Sequence, residues 1–89
     1  MKVEIDNRLR KDLKNIKDRE LKLEVLAAVE EMEAVKILSE IIDMKFMIGY
    51  QGFFRIRIGD YRLGCRLLAD GRVSVIRFLH RAHIYSVFP

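Results

Sequence analysis

Four arginines lie close together on segments that are otherwise mostly apolar: Arg55, Arg57, Arg62 and Arg66. A guanidinium group is planar, stays charged and can hold a phosphate through two hydrogen bonds. Such a cluster repels itself, and only Asp60 and Asp70 among residues 45–89 could neutralise it. The spacing therefore predicts a surface that binds an anion. Salt bridges to glutamates of the helices are the structural alternative.

A second polar group follows near the C-terminal end: His80, Arg81, His83 and Tyr85. A histidine and a tyrosine beside arginines suit phosphate-directed chemistry, which needs proton transfer at two oxygens and stabilisation of developing negative charge. Two histidines at this spacing could ligate a metal, but no third ligand type is clustered nearby and the surroundings are cationic. We therefore predict no metal site and no cofactor. Tyr85 as a core aromatic is the alternative interpretation.

The charge is distributed unevenly along the chain. Residues 1–44 carry nine Lys/Arg and eleven Asp/Glu, whereas residues 45–89 carry eight Lys/Arg, seven of them arginine, and two Asp. The second half also contains all eight aromatic residues. Arginines beside aromatics are typical of surfaces that contact RNA, through its phosphates and its bases. The alternative is a basic face that contacts only solvent.

The length and composition predict one domain over residues 1–89 with a thin core. The polar opening stretch and the lack of a long apolar run predict no signal peptide and no membrane span, so we expect a cytoplasmic protein. Cys65 is the only cysteine. It lies in an alternating pattern between Leu63 and Leu67, which favours a buried apolar role over a nucleophilic one.

Periodicity predicts the elements that must position these groups. Residues 1–6 alternate as a short strand, and a short helix capped by Asn7 follows. Asp18 can cap a longer helix from about residue 19 to residue 42, whose apolar stripe ends with Leu38 and Ile42. From Gly49 onward the period is two. It predicts a hairpin with one apolar and one arginine face, turning at residues 59–60, and a third strand over residues 72–79.

The predicted order is therefore β-α-α-β-β-β. This order indicates an α+β fold in which a helical pair packs on one face of a small, largely antiparallel sheet and the other face is partly open. The remaining tail, residues 80–89, is predicted to be a turn or a short helical piece with an aromatic end.

The second half resembles RelE-type toxins of bacterial and archaeal toxin–antitoxin modules. The resemblance is carried by a strand of aromatic and basic residues, FFRIRI, by GDYR at residues 59–62, and by LHRAHIY at residues 79–85 before a terminal FP. The first half is similar in order and length, so the resemblance covers essentially the whole chain. It implies a RelE-like fold and a toxin that cleaves mRNA in the ribosomal A site and is held inactive by a RelB-like antitoxin.

The resemblance also implies a metal-free reaction, in which a 2′-hydroxyl attacks the adjacent phosphate. Carried onto this sequence, the catalytic residues are Arg62, Arg81 and Tyr85, and Arg55 and Arg57 bind the RNA phosphate; we add Arg66 to them. Several relatives have lysine where this chain has Arg55 and Arg57, and arginine essentially cannot act as a base. The role of general base would then fall to Tyr85, or to His80 or His83.

Two other functions fit the same outline. ParE-type toxins resemble RelE but inhibit DNA gyrase through protein contacts and lack the basic catalytic set. A non-catalytic RNA-binding module, or a decayed toxin, would bind RNA without cutting it. The presence of all the basic positions together with Tyr85 favours the nuclease.

Overall fold

A computed structural model describes residues 1–89 as one five-stranded sheet with helices. The strands are β1 (Val3–Ile5), β2 (Met44–Phe46), β3 (Phe53–Ile58), β4 (Tyr61–Leu67) and β5 (Val73–His80). The helices are α1 (Asn7–Lys14), α2 (Arg19–Ala34) and α3 (Ile84–Val87), with a 3-10 turn at Leu38–Glu40. No helix has both the length and the apolar content needed to cross a membrane.

The sheet order is β1-β5-β4-β3-β2, and only β1 and β5 run parallel. Helices α1 and α2 pack on one face, and the C-terminal segment with α3 covers part of the other. The predicted α+β architecture is therefore confirmed. The third predicted strand is β5, and the predicted tail helix is α3.

Aspartates cap α1 and α2. The Asp6 carboxylate accepts a hydrogen bond from the Arg8 backbone N–H at 2.8 Å, and that of Asp18 accepts one from Glu20 N–H at 2.9 Å. The predicted Asp18 cap is confirmed, whereas Asn7 is the first residue of α1 and Asp6 takes the cap position. The side chain of Arg8 also bonds to Asp6, which lowers the pKa of that carboxyl to about 2.

Helix α2 ends at Ala34, so the predicted end near residue 42 is wrong. Val35 is extended (φ −81°, ψ 154°), and the Met1 amino group donates to three carbonyls of this helix end, including that of Val35 at 3.1 Å. These bonds satisfy carbonyls that a helix end leaves without partners. The apolar period misleads because Leu38 does face the core, but from the 3-10 turn, while Ile42 is 95% exposed.

The alternating pattern does not predict strand β2, because three residues are too few for a period of two to be visible. The strand pairs antiparallel with β3 and forms an edge of the sheet. This pairing places Lys45 directly opposite Arg55. The pairing thereby places Lys45 of β2 beside the arginines of the β3–β4 hairpin.

The main core lies between the helices and one face of the sheet. Leu9, Val25 and Met32 of the helices pack with the buried strand residues, of which Phe54 and Phe78 are the largest. Cys65 belongs to this core, as predicted, and burial raises the pKa of its thiol. A thiol in this position is not available as a nucleophile.

A bulge in β5 supports the opposite face. Gly64 of β4 pairs with Arg77 and the next residue, Cys65, pairs with Val75, so Ile76 has no partner across the ladder. Ile76 packs instead in a second, smaller cluster with Ile84 and Phe88 of the C-terminal segment. The bulge therefore provides the apolar support on which the C-terminal segment rests.

Candidate functional site

The four predicted arginines of the hairpin share the face of the sheet that points away from α1 and α2. Arg55 and Arg57 alternate along β3 with the core residues Phe54, Ile56 and Ile58. Arg57 pairs directly with Arg62 of β4, so their Cβ atoms are about 5 Å apart. The predicted hairpin, with one apolar face and one arginine face, is confirmed.

The charges of these arginines are only weakly neutralised. Arg57 Nη2 lies 3.3 Å from the Asp43 carboxylate, and Arg55 Nη1 donates to the Asp43 carbonyl at 3.1 Å. Both side chains of the Arg57–Asp43 pair are about half exposed, and such a pair contributes about 0–1 kcal/mol. No helix glutamate reaches Arg55, Arg57 or Arg62 within 4 Å, so the structural alternative of salt bridges to the helices does not occur. A phosphate could replace Asp43 at little cost.

Arg62 and Arg81 meet at the turn between β3 and β4. Arg62 Nη1 donates to the carbonyls of Gly59 and Tyr61 at 3.0 and 2.9 Å. The Arg81 backbone N–H donates to the Asp60 carbonyl at 2.8 Å, and its Nε lies 4.0 Å from the Asp60 carboxylate. Arg62 and Arg81 thus both contact the GDYR turn, and Arg57 lies opposite Arg62 on the neighbouring strand.

Arg66 lies apart from this group. It is four residues beyond Arg62 on β4, about 13 Å along the strand. Its guanidinium carbon lies 4.8 Å from the centre of the Phe53 ring, a cation–π contact. An RNA strand could reach Arg66 only by running along the hairpin away from the turn.

Tyr85 lies at a groove on the same side of the sheet. The groove has a volume of ≈ 280 Å³ and is lined by Lys45, Phe46, Met47, Ile48, Tyr50, Arg55 and Tyr85. Tyr85 is 55% exposed, so the alternative of a core aromatic does not apply. The residue before it, Ile84, is fully buried and fixes α3 on the sheet. The structure therefore brings Tyr85 together with Arg55.

The two histidines lie elsewhere. His80 pairs with Tyr61, and its ring packs edge-on against the Tyr61 ring at 5.5 Å. Tyr61 stacks on Phe78 of the main core, so His80 is on the helix side of the sheet rather than on the arginine side. The exposed His83 ring lies 6.2 Å from that of His80. No group of three or more His, Cys, Asp or Glu side chains is arranged to hold a metal ion.

The whole chain matches known toxins. Residues 3–85 match the family model of the ParE toxin of the type II toxin–antitoxin system. Toxin RelE3 from Methanocaldococcus jannaschii is 33% identical over 90 residues, which cover 100% of both chains. The chain is a RelE-type toxin of the RelE/ParE family.

Solved RelE structures have the same fold. The toxin in the RelB–RelE antitoxin–toxin complex from Methanococcus jannaschii is 30% identical, with a TM-score of 0.79 over 96% of this chain and 98% of that one. The archaeal RelE–RelB complex from Pyrococcus horikoshii is 20% identical, with a TM-score of 0.74 over 92% and 96%. The second likeness shows the fold alone.

Three residues beside the candidate site are not predicted from the sequence. Asp43 pairs with Arg57, and Lys45 and Tyr50 line the groove with Arg55. Asp43 and Lys45 adjoin or belong to β2, whose position beside β3 only the sheet pairing establishes. Tyr50 lies in the β2–β3 loop, residues 47–52, and its position within an aromatic-rich, basic half of the chain was the one available signal.

Phe88 fixes the C-terminal segment of the toxin over Gly64. A Cβ atom added at Gly64 would lie 2.8 Å from Phe88 Cε2, closer than packed carbon atoms allow. We expect Gly64→Ala to push the Phe88 ring outward and to cost about 1–3 kcal/mol, the usual range for overpacking. Backbone hydrogen exchange of residues 84–88 should accelerate, and thermal unfolding should report the loss.

Phe88→Leu in the same chain provides the control. The smaller side chain makes room for the added methyl group, so the double variant should exchange more slowly at residues 84–88 than Gly64→Ala. If Gly64→Ala leaves exchange in this segment unchanged, Phe88 is not seated on Gly64.

Proposed function

We propose that this toxin is a ribosome-dependent endoribonuclease that cleaves mRNA in the A site. The 2′-hydroxyl of one nucleotide attacks the adjacent phosphorus, and the bond to the 5′ oxygen of the next nucleotide breaks. The products are a cyclic phosphate and a free 5′-hydroxyl. The proton lost by the 2′-hydroxyl goes to a base, and the leaving oxygen takes up a proton. Cleavage of the message would stop translation in the cytoplasm and arrest growth.

The main support is the cluster of Arg57, Arg62 and Arg81 around the GDYR turn. Phosphoryl chemistry gains most from preorganised positive charge aimed at the oxygens on which negative charge develops. The Arg62 side chain is oriented by bonds to the turn, the backbone of Arg81 is bonded to the same turn, and Arg57 faces Arg62 across the hairpin. In the proposed step Arg55, Arg57 and Arg62 hold the phosphate, and Arg81 stands by the leaving oxygen.

The position of Tyr85 supports it as the residue that contacts the attacking nucleotide. Its exposed ring shares a groove with Arg55, whereas His80 lies on the other face of the sheet. We therefore propose that Tyr85 stacks on a base or takes the proton of the 2′-hydroxyl. His83, which is exposed beyond the end of β5, is the second candidate for proton transfer.

We further propose that a RelB-like antitoxin binds this toxin. The two archaeal RelE structures that it resembles were solved as complexes with RelB. The toxin exposes apolar side chains on and after α2, among them Leu23, Leu26, Ile37 and Ile42. An acidic amphipathic segment that folds on contact would cover these residues and neutralise the arginine face.

Inhibition of DNA gyrase is the second candidate function. It is favoured by the match to the family model of ParE toxins. A gyrase inhibitor acts through a protein interface and has no need of arginines converging on one phosphate. The cluster at the GDYR turn therefore favours RNA cleavage.

Mapping of message ends in a translating extract tests the proposal. With ribosomes present, the purified toxin should generate new 5′ ends at defined codon positions, and without ribosomes it should leave the same RNA intact. Intact mRNA together with a DNA-damage response in cells would instead identify a gyrase poison. RNA binding with a salt slope of about −0.7 per phosphate contact, but with no cleavage, would identify a non-catalytic RNA-binding protein.

A further inference from the structure

The groove beside Tyr85 has a second wall that the proposed chemistry does not use. Ile48 and Tyr50 of the β2–β3 loop form this wall, and Lys45 lies at its base opposite Arg55. Ile48 is 93% exposed and Tyr50 is 54% exposed. With Phe46 and Tyr85, which line the same groove and are about half exposed, they form a patch of exposed apolar side chains, and such a patch indicates a surface for a ligand.

Tyr50 and Tyr85 differ from every other aromatic residue of the chain. The remaining six rings each pack against another aromatic ring, in the pairs Phe46–Phe54, Phe53–Phe88 and Tyr61–Phe78. The rings of Tyr50 and Tyr85 have no aromatic neighbour, and neither hydroxyl makes a hydrogen bond within the chain. Both rings are about half exposed and line the same groove.

The loop that carries Tyr50 is held firmly by its backbone. Gly49 and Gly52 have φ values of 85° and 82°, and a Cβ atom at Gly52 would lie 2.7 Å from the Leu67 carbonyl. The Gly52 carbonyl accepts from Leu67 N–H at 2.8 Å, and the Tyr50 carbonyl accepts from Phe53 N–H at 3.1 Å. These bonds fix the loop against β3 and β4, so the position of Tyr50 is set before any ligand arrives.

The charges at the groove select an anionic aromatic ligand. Lys45 has no acidic partner within 4 Å, and Arg55 donates only to a backbone carbonyl, so both cations can bind a phosphate. A nucleotide combines a flat base with a phosphate, and the groove combines free aromatic rings with unpaired cations. Stacking of bases on aromatic rings beside basic residues is a common mode of single-strand binding.

We propose that this groove binds one base of the message, in contact with Tyr50, Ile48 and Tyr85, while Lys45 holds a backbone phosphate next to it. This inference rests on the proposed function, since it places a nucleotide adjacent to the one held by the arginines. Because the loop and α3 together shape the groove, its fit to the bound base contributes to the choice of the codon that is cut. The β2–β3 loop is thus a specificity element.

The test compares Tyr50→Ala, Tyr50→Phe and Lys45→Ala in two assays. The first measures binding of a short single-stranded RNA with 2′-O-methyl groups, which the proposed attack cannot cut. Tyr50→Ala should weaken binding about five- to 150-fold, the range found when a stacking residue is removed, and Tyr50→Phe should retain most of it. Lys45→Ala should weaken binding and make the salt slope less steep by about 0.7.

The second assay maps cut sites in the translating extract. Tyr50→Ala should raise KM more than it lowers kcat and should change the distribution of cut codons. Lys22→Ala is the matched control, since it removes an exposed basic side chain of α2, which packs on the other face of the sheet. This variant should behave like the unaltered toxin.

The outcomes separate this inference from the function on which it rests. If the unaltered toxin cuts no message, the proposed function fails, and the RNA-binding assay still decides whether the groove holds a base. If the toxin cuts message but Tyr50→Ala and Lys45→Ala match it in RNA affinity and in cut sites, the groove does not bind the message. Loss of affinity for an acidic antitoxin segment alone would assign the groove to that partner and overturn the inference.

Discussion

Arg62→Ala and Arg81→Ala should each lower the rate of message cleavage on programmed ribosomes by about 10²–10³-fold, the usual cost of removing one preorganised group from a developing charge. The Arg62 guanidinium donates to the carbonyls of Gly59 and Tyr61, and the backbone N–H of Arg81 donates to the Asp60 carbonyl. The turn therefore orients the Arg62 side chain directly and fixes the backbone from which the Arg81 side chain extends. Single-turnover cleavage of a message with a defined A-site codon measures the effect without the contribution of product release.

Arg72→Ala is the matched control for these variants. Arg72 pairs with Glu4 and Asp70 at the opposite end of β4. All three side chains are partly exposed to solvent, as in other surface ion pairs. Its loss should leave the cleavage rate within about twofold and the melting temperature almost unchanged, because exposed ion pairs contribute little to stability. If cleavage survives the loss of Arg62 and Arg81 together, the assignment of the site is wrong.

The same assay identifies the proton acceptor. Tyr85→Phe keeps the ring for stacking and removes the hydroxyl, so a large loss of rate would indicate proton transfer by Tyr85 and a small loss would indicate stacking. His83→Ala tests the second candidate. If His83 transfers the proton, its loss should lower the rate and change how the rate depends on pH.

The sequence predicts the shared face of the hairpin arginines because alternation is a local property. In a strand with one buried face, residues two apart must share a side, so Arg55 and Arg57 are placed as soon as Phe54 and Ile56 are assigned to the core. The two-residue turn at Gly59, with φ of 58°, then carries Arg62 to the same side. No information from distant parts of the chain is needed.

What the sequence does not predict depends on partners that are distant in the chain. The end of α2 is set partly by the Met1 amino group, and β2 exists because β3 offers it an edge. Asp43, which precedes β2, therefore could not be recognised as the partner of Arg57. The sequence likewise gives no sign of the bulge at Ile76. The apolar pattern continues through this residue, because Phe88 and Ile84 bury the Ile76 side chain on the opposite face of the sheet.

Asp12 is the clearest case, and Asp12→Ala should be the most destabilising of the substitutions considered. Its carboxylate accepts from Arg77 Nε at 2.8 Å, from Arg77 Nη2 at 3.1 Å and from Phe78 N–H at 2.9 Å. The two side chains are only 9% and 22% exposed. This ion pair connects α1 to β5 at the bulge. Removing the Asp12 carboxylate would leave the Arg77 guanidinium group and the Phe78 backbone N–H without partners.

We expect Asp12→Ala to lower the free energy of unfolding by about 3 kcal/mol, because removing one member of a largely buried pair exposes the cost of the other. In a domain of this size the melting temperature should fall by about 12–24 °C. Asp18→Ala, which removes an exposed helix cap, should cost only about 1 kcal/mol. Asp12→Ala combined with Arg77→Met should be more stable than Asp12→Ala alone, since no unpaired charge remains. The double variant is compared with the two single variants. If its loss of unfolding free energy equals the sum of the losses in Asp12→Ala and Arg77→Met, the carboxylate and the guanidinium do not stabilise the fold as a pair. In that case α1 is held on β5 by its apolar contacts.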